Sequence, residues 1–292
     1  MSADENLAGR TLVVSGASRG IGLAIALGAA RHGANIVLLA KTADPHPKLP
    51  GTVYTAVAEI EAAGGRAVAV VGDVRHEQDA QRAADTAVEH FGGIDICVNN
   101  ASAIAVDPTE ALSAKKYDLM MDVNVRGTFL LTKACLPHLR VAGARGPGAH
   151  VLTISPPLNL NPYWFGAHPV YTLSKYGMTL LSLGWAQEYH NIAGADIGFC
   201  CLWPETYIAT SAVANSSHGQ DQLAASRSPQ IMADAAVALL CQPASAVNGH
   251  TYIDSDVLTS AGITDLSPYG GGDDPIIDIF VDKPGQRTGE SA

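Results

Sequence analysis

TLVVSGASRGIGLAIA, residues 11–26, joins an apolar run to a helical pattern through three glycines. The run TLVVSG does not alternate polar with apolar residues, so it reads as a strand buried on both faces. From Gly20 to His32 the apolar residues recur at helical spacing, and Gly33 stops them. Gly16, Gly20 and Gly22 therefore fall at the turn and at the mouth of the helix. One glycine permits the tight turn, one lets backbone N–H groups approach a pyrophosphate, and one lets helix and strand pack closely. The helix N-terminus then turns its partial positive charge toward the phosphates. Glycine triplets also occur in ordinary turns; the position between strand and helix gives this one its weight.

The pattern repeats outward from that unit. Apolar runs at 35–40, 67–73, 94–101, 150–155, 197–204 and 250–254 predict further strands. Helical spacing predicts helices over 53–65, 77–91, 115–140, 171–190 and 229–241. Strands alternating with helices at this interval mean repeated βαβ units, hence a Rossmann-like, doubly wound parallel sheet with helices on both faces. No linker divides the chain, so one α/β domain is expected over 1–292, with its core at about 9–255. Residues 205–228, rich in Ser, Ala and Gln, read as a lid. The tail 256–292 reads as irregular, free to wrap the surface or a partner subunit.

Composition narrows the function. Of the 292 residues, 47% are hydrophobic and 16% charged, so a sizeable core is available. The net charge is −10 and no Lys/Arg cluster occurs, which argues against nucleic acid as a partner. Cys97, Cys135, Cys200, Cys201 and Cys241 form no CxxC pair and read as small buried hydrophobes. The histidines show no HxH or HExxH spacing, so no metal is expected. Neither a membrane span nor a secretory leader is visible, and a cytoplasmic protein is expected.

Three more motifs accompany the glycine loop. Asn99-Asn100-Ala101 ends the fourth strand, Asn124 stands in MDVNVRG, and Tyr171 precedes Lys175 by four residues. In this order they resemble the short-chain dehydrogenase/reductase family. AKTADPHPKLPGTVYTA (40–56), ISPPLNLNP (154–162) and YTLSKYGM (171–178) resemble its hydroxysteroid dehydrogenase-like branch. Members of that branch can carry a C-terminal sterol-carrier domain, for which this length leaves no room, so no lipid-carrier role is expected from the resemblance.

The resemblance implies a nicotinamide cofactor held by Gly16, Ser18, Arg19, Gly20, Ile21, Gly22, Lys41, Asp73, Val74, Asn100, Ala101 and Ser102, with Tyr171, Lys175, Pro204 and Ile208 at the nicotinamide end. Asp73 would bond the adenine amino group, although a helix-capping role competes. NAD-preferring folds place a carboxylate after the second strand to bond the ribose 2′-hydroxyl. Here Ala40 fills that place, and Lys41 and Arg19 stand near enough to meet a 2′-phosphate. NADP is therefore expected, with NAD possible.

Hydride transfer to a carbonyl leaves an alkoxide that needs a proton, and the reverse needs a base. Tyr serves both if its pKa, ordinarily about 10, falls toward neutrality. Lys175, four residues on, lies on the same helix face. A charge pair near 4 Å contributes about 4 kcal/mol at an effective dielectric near 20, roughly three pKa units before desolvation opposes it. Elsewhere Tyr and Lys at this spacing mean an ordinary helix surface; the accompanying motifs decide otherwise. By the resemblance, Asn124 holds a water linking Lys175 to solvent. The family also places a second serine after the fifth strand, where this sequence has Pro156 following Ser155. Either Ser155 serves, or Asn159 or Asn161 supplies the donor, or the step is lost. Tyr163, Trp164 and Phe165 line a substrate pocket or pack their loop down.

The expected function is hydride transfer between nicotinamide and a small apolar or lipid-like carbonyl or alcohol. The alternatives are a non-catalytic NADP-binding scaffold or sensor, and a dehydratase or epimerase on the same fold. Apolar residues on the helix from Tyr171, Leu180 and Leu183 among them, predict a homodimer or homotetramer.

Overall fold

The computed structural model describes residues 6–46, 49–190, 192, 196–215 and 219–282. Seven strands form one sheet, all pairs parallel, in the order β3-β2-β1-β4-β5-β6-β7. They are β1 Thr11–Ser15, β2 Asn35–Ala40, β3 Arg66–Val71, β4 Ile96–Asn99, β5 Ala149–Ile154, β6 Ile197–Trp203 and β7 His250–Ile253. β1, β2, β4, β5 and β6 are buried along their whole length, which explains their unbroken apolar runs. The expected strands lie where the apolar runs put them, with ends shifted by one or two residues; β4 loses its polar flanks.

Helices cover both faces. α1 (Gly20–Arg31), α2 (Val53–Ala62) and α3 (Glu77–Phe91) link the first four strands. Thr52 starts α2 by a reciprocal cap: its hydroxyl accepts from the Thr55 amide, and its own amide donates to the Thr55 hydroxyl. The long helix expected over 115–140 is three pieces. α4 (Ala114–Met120) passes through a π turn, Met121–Arg126, into α5 (Gly127–Gly143). Asn124 lies inside that π turn.

Beyond β5 the chain forms a short α6 (Pro162–Ala167), where the sequence predicts no helix. α7 (Pro169–Tyr189) follows, with Pro169 at its first turn. The region 205–228, expected to be a lid, holds two short helices, α8 (Ser211–Ala214) and α9 (Gly219–Ala224). α10 (Gln230–Leu240) then packs on α1, with Gly28 close enough to Ala233 and Val237 that a Cβ would touch both. The described part of the tail turns back on its own chain, as set out below. No helix among the described residues is long and apolar enough to cross a membrane.

Candidate active site

The order β3-β2-β1-β4 reverses direction at β1, so a crevice opens beyond the C-terminal ends of β1 and β4. A cleft of about 560 Å³ lies there. Gly16, Ser18, Arg19, Gly20, Ile21, Lys41, Asp73, Val74, Asn100, Ala101 and Ser102, all candidates for cofactor contact, line it. Gly16 has φ 69°, and a Cβ there would stand 2.8 Å from the Ala101 Cα. Gly22 lies beneath the lining rather than in it: a Cβ there would stand 2.4 Å from Asn100 Nδ2. That amide donates to the backbone oxygens of Ser15 and Gly16, so Asn100 braces the loop from behind. No side chain caps α1, and no acidic residue occupies its first turn. Its leading N–H groups thus remain available to an anion. A glycine floor, a bare helix N-terminus and a volume within the usual ligand range fit a dinucleotide.

At the 2′ corner, Ala40 and Lys41 both line the cleft and Lys41 is exposed. Arg19 donates to the carbonyls of Pro50 and Gly51, which fixes its guanidinium beside the same corner. Asp73 lines the cleft with its carboxylate already paired. Its carboxylate accepts from the Arg75 guanidinium and amide, which holds its pKa below the usual range. It does not cap α3, whose N-cap residue is His76. Pro204 and Ile208 are buried and do not line the cleft; Thr210 comes near Gly20 instead.

Tyr171 and Lys175 lie one turn apart on α7, 4% and 2% exposed. The expected lowering of the Tyr171 pKa is not what this structure shows. Burial pushes the phenol well above its ordinary value, and the nearby Asp278 carboxyl adds to that, against a hydrogen bond with Ser102. Burial also drives the pKa of Lys175 down, to about 7. Its Nζ donates to the Ile154 carbonyl at 2.9 Å and lies 5.1 Å from the centre of the Trp203 ring. The sequence argument counted the attraction of the pair but not the desolvation of both members.

The candidate serine and asparagines each have other partners. Ser155 is fully buried, and its hydroxyl accepts from Thr179, two turns along α7 from Tyr171. Asn159 and Asn161 are also engaged elsewhere. Asn159 donates to the Phe280 carbonyl, while Asn161 caps α6 and donates to Asp282. A hydroxyl that hydrogen-bonds the Tyr171 phenol is that of Ser102, three residues past β4. Asn124 is buried, and its side chain ties the β4 loop to α7: it accepts from the Ala103 amide and donates to the Ala103 carbonyl and the Ser174 hydroxyl. The side chain thus faces the β4 loop and α7, with Lys175 absent from its partners.

Sequence reasoning missed the C-terminal contribution entirely. Phe280, 3% exposed, stacks along Tyr171 with ring centres 6.0 Å apart. Trp164 joins this cluster at 5.9 Å from Phe280, so it packs inward, whereas Tyr163 is 66% exposed. The only signal available was apolar residues in a tail otherwise rich in Gly and Asp.

Residues 10–220 match the family model described as short chain dehydrogenase. Hydroxysteroid dehydrogenase-like protein 2 of Danio rerio is 50% identical over 278 residues, 94% of this chain and 65% of that protein. The chain thus spans somewhat less than two thirds of that relative. A solved short chain dehydrogenase from Mycobacterium thermoresistibile superimposes with a TM-score of 0.87 at 47% identity, covering 97% of this chain and 100% of the other. L-sorbose reductase from Gluconobacter frateurii, solved with NADPH and L-sorbose, does so at 0.72 and 25% identity, covering 86% and 96%.

Proposed function

The chain belongs to the short-chain dehydrogenase family, and from that premise we propose that it is an NADP-dependent oxidoreductase acting on a small apolar or lipid-like carbonyl or alcohol. One observation carries the reading: Tyr171 and Lys175 are buried together on one turn of α7, beyond a glycine-floored cleft. When bound, the dinucleotide supplies or takes the hydride. Tyr171 holds the proton that the substrate oxygen gains or loses, and Ser102 is the hydroxyl placed to share that oxygen. Lys175 sets the charge around the phenol. Asn124 fixes the β4 loop, and hence Ser102, against α7.

The choice of NADP rests on Ala40, which leaves no carboxylate to repel a 2′-phosphate, and on Lys41 and Arg19 beside it. A cytoplasmic setting is part of the proposal, resting on the five cysteines of the sequence, which form no CxxC pair. A homodimer or homotetramer is also proposed, because Leu173 and Leu180 on α7 are 52% and 57% exposed. Sedimentation at micromolar concentration tests it, and a monomer throughout would refute it.

The decisive experiment is turnover of aldehydes, ketones and alcohols with NADPH and NADH, followed at the nicotinamide absorbance band. Consumption of NADPH by a carbonyl is the expected result. Tight NADPH binding with no turnover across the panel would favour a nucleotide-binding scaffold, the reading that Pro156 in place of the second serine supports.

A further inference from the structure

The segment Pro275–Asp282 returns along the residues that follow β6. The Tyr207 amide donates to the Ile276 carbonyl at 2.8 Å, and the Asp278 amide donates to the Glu205 carbonyl at 2.9 Å. Four side chains also hold it. Trp203 Nε1 donates to the Ile279 carbonyl, Asn159 Nδ2 to the Phe280 carbonyl, and both Trp164 Nε1 and Asn161 Nδ2 to the Asp282 carboxylate. Three of these four come from the stretch between β5 and α7, so that stretch and the strap are fitted to each other.

Phe280 is what the strap delivers. Its ring sits among Tyr171, Tyr176, Trp203 and Trp164, with ring centres 5.3 to 6.0 Å away. Among the described residues it is the one non-glycine with positive φ, at 71°. A bulky residue rarely adopts that conformation and keeps it only where its surroundings over-determine it. The backbone is bent out of its preferred region to put this ring against the phenol.

On the oxidoreductase reading above, we propose that Phe280 is the specificity-determining residue of the substrate pocket: its ring fills the space beside Tyr171 and admits small carbonyls while excluding fused-ring ones. The chemistry is that of a size filter. An apolar pocket wall discriminates by shape, and one extra or missing methylene against it changes relative rates about 10- to 200-fold.

The test measures kcat/KM for a graded set, from a short aldehyde through cyclohexanone to a fused bicyclic ketone, with wild type, Phe280→Ala and Phe280→Leu. In Phe280→Ala the ratio of bicyclic to short substrate should rise about tenfold or more, with Phe280→Leu between, and NADPH affinity unchanged. A ratio unchanged within about twofold in both variants, each folded by circular dichroism, overturns the proposal. A second readout needs no substrate: acetylation of Tyr171 by N-acetylimidazole, located by mass spectrometry. It should run about tenfold faster in Phe280→Ala, since the ring no longer shields the phenol. If wild type turns over nothing, the oxidoreductase reading fails, and equal acetylation rates would then refute the shielding by itself. Should Phe280→Ala not fold, Phe280→Leu decides by the same two measurements.

Discussion

The two ends of the site are built from different material. The cleft proposed for the dinucleotide is made of backbone: glycines at φ 69° and 60°, the first N–H groups of α1, and Asn100 braced beneath them. The end proposed for the substrate is made of large side chains, with Trp164 on α6, Tyr171 and Tyr176 on α7, and Phe280 on the strap. Backbone geometry tolerates almost no change at Gly16 and Gly22, where a Cβ would meet main-chain atoms. A side-chain cluster can exchange one ring for another and keep its outline. On that proposal the fold fixes the cofactor end and leaves the substrate end adjustable.

Tyr171→Phe attacks the one group that serves the substrate end without touching the other. Turnover should fall about 10²- to 10⁴-fold while NADPH affinity stays within a few-fold. Activity near that of wild type would remove Tyr171 from the chemistry, and a parallel loss of NADPH binding would erase the proposed division.

Gly22→Val strikes the backbone end. Its side chain would collide with Asn100 and, through it, with the loop. NADPH affinity measured calorimetrically should weaken by about 100-fold or more, roughly 3 kcal/mol, and the melting temperature should fall as well. Affinity within a few-fold of wild type would show that the loop is not the rigid floor described here.

A smaller effect belongs to the 2′ corner. Ala40→Asp should reverse the preference for NADP, a change of about 10- to 100-fold in the ratio of dissociation constants. Lys41→Ala should weaken NADPH and leave NADH nearly unchanged. Equal weakening of both would place Lys41 outside 2′-phosphate recognition and leave the oxidoreductase assignment standing.

The smallest effect concerns pH. Lys175 has its pKa lowered from 10.5 to about 7 in the folded chain. Between those values the unfolded chain binds a proton that the folded one does not, so this group's contribution to stability rises with pH across that window. Below about pH 7 the full cost of the buried ammonium is present. Lys175→Met should therefore melt about 5 °C above wild type at pH 7, with the gap closing toward pH 10. A gap that does not vary with pH would mean that the ammonium is well solvated in the free protein.

These contrasts also explain what could be read from the residues. The glycine loop is local: strand, turn and helix mouth lie within 11–26, and each glycine reports a backbone need. Strand order follows because βαβ units repeat, and the apolar runs mark buried strands. The substrate end gives no comparable signal. Asn159 meets Phe280 across 121 positions and Trp164 meets Asp282 across 118. DPIIDIFVD carries no period that announces a docking partner. Ser155 follows β5 directly, but its hydroxyl turns toward Thr179, a direction that strand alignment does not determine. The raised pKa of Tyr171 is equally hidden, since burial arises from the packing and Asp278 from the distant strap.

Those separations also bear on what the strap adds to the molecule. All seven strands end by Ile253, and the strap begins only at Pro275. The sheet and the lining of the cleft use no residue of the strap. A chain cut between those two points would keep its architecture and leave the phenol of Tyr171 without its cover.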